Sequence, residues 1–262
     1  MIETVTGLPD VTLGAEAGES PLDAQRGEDG VTLRNLVVES DQGATIAATH
    51  GDAVVLVEGC TFRPGPGQQG DASGLSIETP GEVTVRSSAF LDSGEGSTQG
   101  GGLRVEDAER VLIEDSRFEG NQGGTGGGLA LFDLARDFTV ELVRSSFVGN
   151  EASSGGAIWL YVTDGEGVVR LEDVDAEDNT ASFGATYELA AREGGEMAIS
   201  GGSVTGSRSP DGLEFGTAIV LTYDAHLVVE DLEASDNDVG LIHGCEDMAG
   251  TVSFEYLDGD CL

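Results

Sequence analysis

The chain of 262 residues contains no lysine. Its twelve cations are all arginine, against 49 Asp and Glu, for a formal net charge of −37. Such a surface has nothing with which to replace phosphate counterions over a broad area, which argues against nucleic acid and against anionic lipid as partners. No apolar run approaches the length of a membrane span, so no membrane insertion is expected. The opening Met1-Ile2-Glu3-Thr4-Val5 lacks the basic-then-apolar pattern of a signal sequence. Val11-Thr12-Leu13 already reads as interior strand, so the chain is expected to be a fragment of a longer precursor. The three histidines, His50, His226 and His243, show no HxH or HxxxH spacing, and no transition-metal site is expected. Cysteine is rare: Cys60 stands alone, while Cys245 and Cys261 lie close together near the C-terminus. Those two are expected to form a disulfide that pins the last turn. No stretch shows a helical period.

Glycine is abundant, at 41 residues, and 39% of the chain is apolar, enough to fill a core. The acidic, lysine-free composition has two open readings: a saline or calcium-containing exterior, or a genome that favours arginine codons.

A repeat organises the chain. Phe118-Glu119-Gly120-Asn121 and Gly126-Gly127-Gly128-Leu129 recur as Phe147-Val148-Gly149-Asn150 and Gly155-Gly156-Ala157-Ile158. Around them a pattern Val-x-φ-x-x-x-x-φ, with φ apolar, recurs about every 28 residues, which is the mark of stacked repeats. Its copies start at Val31, Val55, Val83, Val111, Val140, Val169, Met197 and Leu227, with a partial ninth at Val252. A second short strand separates them, beginning at Ile46, Leu75, Leu103, Leu129, Ile158, Tyr187 and Ile219. Alternating apolar and polar residues over short segments give the strand period. The reading is an all-β parallel solenoid of eight to nine coils, on the order of 40 Å long at one strand spacing per coil. It forms a single domain: residues 1–30 as an N-terminal coil or cap, 31–239 as regular coils, and 240–262 as a C-terminal coil or cap.

In a solenoid, equivalent residues stack in files. One inward file holds Phe62, Phe90, Phe118 and Phe147, an aromatic spine. A corner file holds Asn121, Asn150 and Asn179, read as a hydrogen-bonded ladder at a left-handed bend. A further inward file is small and hydroxylated: Cys60, Ser88, Ser116, Ser145. On the outside, Arg34, Glu58, Arg86 and Glu114 alternate in sign.

The Phe-x-x-Asn and Gly-Gly-Ala-Ile motifs resemble the repeat of the chlamydial polymorphic outer-membrane proteins and of many secreted bacterial β-helix proteins. The close match covers about 45 residues, with degenerate copies along most of the chain. The resemblance implies a right-handed parallel β-helix of pectin-lyase-like architecture, exported, secreted or displayed on the bacterial cell surface, in the manner of a passenger or adhesin. It does not imply an activity.

Two sets of residues could carry function. Two outward files of the second strand are expected to read Ala47, Ser76, Arg104, Ala130, Trp159, Glu188, Val220 and Thr49, Glu78, Glu106, Phe132, Tyr161, Ala190, Thr222. Glu78, Glu106 and Arg104 are then neighbours, as in a catalytic carboxylate pair or a calcium site; a solvated polar face is the plainer reading. Phe132, Trp159 and Tyr161 should face outward on two adjacent coils as a binding patch. A covering loop, a protein or self contact, and a glycan all stay open for it. The expectation is an exported, non-catalytic structural or adhesive module that makes a protein or self contact. The alternative is a polysaccharide-active lyase, hydrolase or epimerase. No cofactor is called for; calcium is the one ion retained as an alternative.

Overall fold

A computed structural model describes residues 3–14, 23–25, 30–48, 51, 53–65, 73–94, 99–135, 137–162, 167–191, 195–210, 218–222, 226–238, 242–243, 248–249 and 253–254. Among them there are only strands, and successive coils pair in parallel. Equivalent residues lie 28 to 30 positions apart in many coils, but Val31 pairs with Val55 and Tyr187 with Ile219, so the coils differ in length. The protein is an all-β parallel solenoid.

The Val-x-φ run is two strands per coil rather than one. In one coil these are Arg110–Glu114 and Arg117–Glu119, and their copies build an 18-stranded sheet, here sheet A. The break between them falls at a left-handed residue: Ser87, Asp115, Arg144 and Asp173 all have φ near +50°. The next residue is the small one that points inward. Ser88 Oγ accepts the backbone N–H of Cys60 at 3.1 Å, Ser116 that of Ser88 at 3.2 Å, and Ser145 that of Ser116 at 3.2 Å. The hydroxyls thereby repair the ladder where the strand bends.

Sheet B contains nine strands, one per coil, such as Leu103–Glu106 and Leu129–Phe132. Its register differs from the expectation at one end. Thr45 pairs with Ser76 and Ala47 with Glu78, so Thr45 takes the place expected for Ala47, and Ala47 that expected for Thr49. The offset is two residues, which preserves the inward and outward faces because strand side chains alternate with period two. The last repeat copy also differs: Leu227 pairs with Met248 and Ala234 with Phe254, so this copy starts at Met248 rather than Val252.

A third sheet, C, was not legible as strands. It pairs Gln122–Thr125, Glu151–Ser154 and Thr180–Phe183 directly after the asparagine file. These segments are short and polar, without an apolar alternation to announce them.

Between the sheets lies one continuous core. Phe62, Phe90, Phe118 and Phe147 are fully buried and stack with ring centroids 5.1, 4.8 and 4.5 Å apart. Asn121, Asn150 and Asn179 are fully buried beside them. Each carboxamide oxygen of Asn150 and Asn179 accepts the backbone N–H and the side-chain N–H of the asparagine one coil earlier. The side-chain nitrogens also donate to the carbonyls of Phe90, Phe118 and Phe147. The bend itself is one residue earlier than expected: Gly120, Gly149 and Asp178 take the left-handed conformation, not the asparagines. The asparagine points into the stack, and the residue before it absorbs the turn.

The Gly-Gly-Ala motif serves the turn from sheet C into sheet B. Gly155 has φ +61°. A Cβ on Gly156 would sit 2.2 Å from the carbonyl oxygen of Ala185 in the next coil, so only glycine permits that close approach.

Candidate functional site

The outer face of sheet B brings the two candidate sets into one strip. Ser76, Arg104, Ala130, Trp159, Glu188 and Val220 follow one another in register, and Glu78, Glu106, Phe132, Tyr161, Ala190 and Thr222 run beside them.

Arg104 is committed within this strip. Its guanidinium donates to Ser76 Oγ at 3.1 Å and to Glu106 Oε2 at 2.6 Å. Its Cζ lies 4.6 Å from the centroid of the Phe132 ring, a cation–π contact. Glu106 pairs with Glu78 across the ladder. Burial raises the pKa of Glu106 above the usual carboxylate range, against the opposing pull of Arg104. The wider arginine set is also engaged. Among the described residues, eight arginines form ion pairs. Glu58, for example, sits between Arg34 and Arg86 at 2.9 Å from each. These side chains neutralise carboxylates of their own strand or of a neighbouring coil.

Phe132 points outward, as alternation requires, but it is not an exposed aromatic. It is 6% exposed, and all four residues of Leu129–Phe132 are buried on both faces of the sheet. Arg104 covers its ring from one side and Trp159 approaches from the next coil, with centroids 6.3 Å apart. Trp159 and Tyr161 are half-buried. Their rings are nearly parallel, 6° apart, with centroids at 5.4 Å. Parallel planes this close overlap face to face rather than lying side by side as a flat platform. Each ring therefore gives one face to the other.

The residue that the candidate sets omitted is Glu188. It is 9% exposed, although its place in the file is outward. The Trp159 indole N–H and the Ser154 hydroxyl donate to its carboxyl, yet burial outweighs both and pushes its pKa up to about 7. Oε2 is buried without a hydrogen-bond partner. The available signal was its position, one coil after the only tryptophan, in a file whose other members are small, apolar or cationic. Ser154 comes from sheet C, the sheet that was not anticipated.

Cys245 and Cys261 lie outside the described residues, and so do their expected disulfide and most of the expected C-terminal cap. Cys60 is a buried free thiol whose pKa burial raises. Among the described residues no three His, Cys, Asp or Glu side chains are grouped where they could hold a metal ion.

No curated protein and no solved structure matches the chain. A family model described as "Right handed beta helix region" matches residues 24–181. That match spans about five coils, fewer than the eight to nine expected from the repeat, and the parallel ladder continues on both sides of it. It concerns the β-helix in general; the likeness to the chlamydial proteins rests on the two motifs alone. The match covers more than half of the chain and agrees with its parallel coils, and the chain belongs to the right-handed β-helix family.

Proposed function

We propose that the chain is an exported, non-catalytic β-helix module that meets another protein, or a second copy, through the strip around Trp159 and Tyr161. One observation carries this reading. The outward files of sheet B change character at two adjacent coils, from Ser, Glu and Arg to a packed aromatic cluster with Trp159 and Tyr161 half-exposed at its rim. Such clusters concentrate contact energy in Trp and Tyr. The overlapped rings do not form a flat two-ring platform, which suits a protein contact better than stacking of a sugar. A net charge of −37 repels a second copy over most of the surface and favours a basic partner. Secretion or display at a cell surface is part of the proposal, supported by the resemblance of the motifs.

A photo-crosslinking side chain placed at Tyr161 is the test, with one at Thr84 on the outer face of sheet A as control. The expected result is a discrete adduct, to a second copy or to one basic protein, that Trp159→Ala abolishes. Adducts at Tyr161 no more frequent than at Thr84 would overturn the reading.

A second reading is favoured by Glu188. A carboxyl that keeps its proton to about pH 7 beside aromatic rings is suited to act as a general acid. It would make the chain a polysaccharide-active enzyme with Glu188 as the acid; Glu106 and Glu78 lie three and four coils away, about 14 Å or more at one strand spacing per coil, too far to be its paired carboxylate. Turnover of pectate, alginate or neutral glycans that is lost in Glu188→Gln would establish it.

A further inference from the structure

We propose that protonation of Glu188 sets how tightly Trp159 is held, so that the strip is closed in mild acid and opens in mild base. The geometry comes first. The Glu188 carboxyl bridges two sheets, taking one hydrogen bond from Ser154 of sheet C and one from Trp159 of sheet B. A carboxylate has about four acceptor sites, and here Oε2 is buried and bonded to nothing. The turn at Gly184 passes close to its stem: a Cβ added there would lie 3.1 Å from Glu188 Cβ.

Among the described residues no charge compensates it. Strand Ile158–Val162 brings Trp159, with Tyr161 as the nearest titratable group of that strand. Strand Glu151–Ser154 brings Ser154 near the carboxyl, and its one charged residue, Glu151, is three positions away and exposed. Strand Ile219–Thr222 brings Val220 as the ladder partner and carries no charged residue. Arg104 is three coils away on the same file, about 14 Å at one strand spacing per coil, and it is already bound to Ser76 and Glu106. The causes of the raised pKa accordingly contain burial and the two hydrogen bonds, and no charge.

The protonated side chain fits this dry site as a neutral group. Loss of the proton leaves an anion with an uncovered oxygen, and burying such a charge is costly. The relief available is water at Oε2. Sheet C and the Gly184 turn wall the carboxyl on one side, so water enters on the side of Trp159, whose indole packs on Tyr161 and against Phe132 and is tied to Glu188 by one hydrogen bond. The ionised form therefore exposes more of Trp159 and adds a negative charge beside it. If the contact proposed above is real, a basic partner would favour that form; this consequence rests on that reading, whereas the opening does not.

The sign follows from linkage. The folded-state pKa is raised, so the folded chain keeps a proton that the unfolded chain has lost. The contribution to stability falls as the pH rises from the ordinary value of 4.5 through about 7, and is level above that.

Trp159 is the only tryptophan, so its emission and its quenching by acrylamide report this site alone. We expect the purified chain to show a red shift and easier quenching as the pH rises, with a midpoint of about 7. Glu188→Gln keeps the shape and an acceptor oxygen, and should give a flat profile. Infrared difference spectra between about pH 5.5 and about pH 8.5 give a second readout, because most other carboxyls are already ionised at the lower pH. A protonated-carboxyl band should disappear in the native chain and be absent from Glu188→Gln. A midpoint near the ordinary carboxylate value, or a transition that survives in Glu188→Gln, would overturn the proposal. Crosslinking at Tyr161 that fails at both pH values, while the titration is present, would sink the contact reading and leave the proton-controlled opening intact.

Discussion

Tyr187 continues the inward file of Leu129 and Ile158 and is fully buried, but its hydroxyl has no hydrogen-bond partner. Burial pushes the phenol pKa well above its usual range. An unsatisfied buried hydroxyl costs roughly 1–3 kcal/mol. Tyr187→Phe removes that group while keeping the ring, so it should stabilise the chain by about 1 kcal/mol. A urea unfolding midpoint that moves up without a change in slope would show it; a lower midpoint would mean that water or a neighbour satisfies the hydroxyl in solution. The inward direction of Tyr187 was readable from strand alternation. Its lack of a partner was not, because that depends on which atoms of other coils reach the phenol.

The element that carries stability is the stack of short strands around the phenylalanine spine. Phe118 has Phe90 on one side at 4.8 Å and Phe147 on the other at 4.5 Å. Serine and asparagine ladders flank the same strand and close its backbone hydrogen bonds. Phe118→Ala would leave a hole between two rings, and burial of this kind is worth roughly 3–5 kcal/mol. Equilibrium unfolding should lose that amount, with hydrogen exchange accelerating first in the two adjacent coils. A loss below about 1 kcal/mol would mean that the spine relaxes around the gap. The outer ion pairs of sheet A are a weaker contribution. Arg144 grips Asp115 with two bonds at 2.8 and 3.1 Å, but both groups are largely exposed. Their main effect is to let carboxylates lie one strand spacing apart without repulsion.

At the scale of the whole molecule, a parallel solenoid has two ends with unpaired strand edges, which invite further pairing. The closely spaced Cys245 and Cys261 are proposed to form a disulfide that constrains one of them. A loop of this length would contribute about 3 kcal/mol. Thiol titration of the denatured, unreduced chain should find one free thiol, that of Cys60; three would dismiss the bridge. The buried, raised-pKa Cys60 should react only after unfolding.

The sequence by itself determined the stacking. Periodic residues such as Phe90, Phe118 and Phe147 meet in register because each coil presents the same side chain at the same height, so a one-dimensional repeat implies a three-dimensional file. It also determined that Phe132, Trp159 and Tyr161 share an outer face, since alternation along a strand is local. The tertiary structure decided what lies over that face. The burial of Phe132 under Arg104, the approach of Trp159 to Phe132, and the enclosure of Glu188 by Ser154 all involve residues of different coils or different sheets. Sheet C, which supplies Ser154, has no apolar pattern of its own and forms because the coils on either side are already aligned. Files are set by period, whereas burial and proton affinity are set by the surroundings of each side chain, and those exist only once the coils have closed.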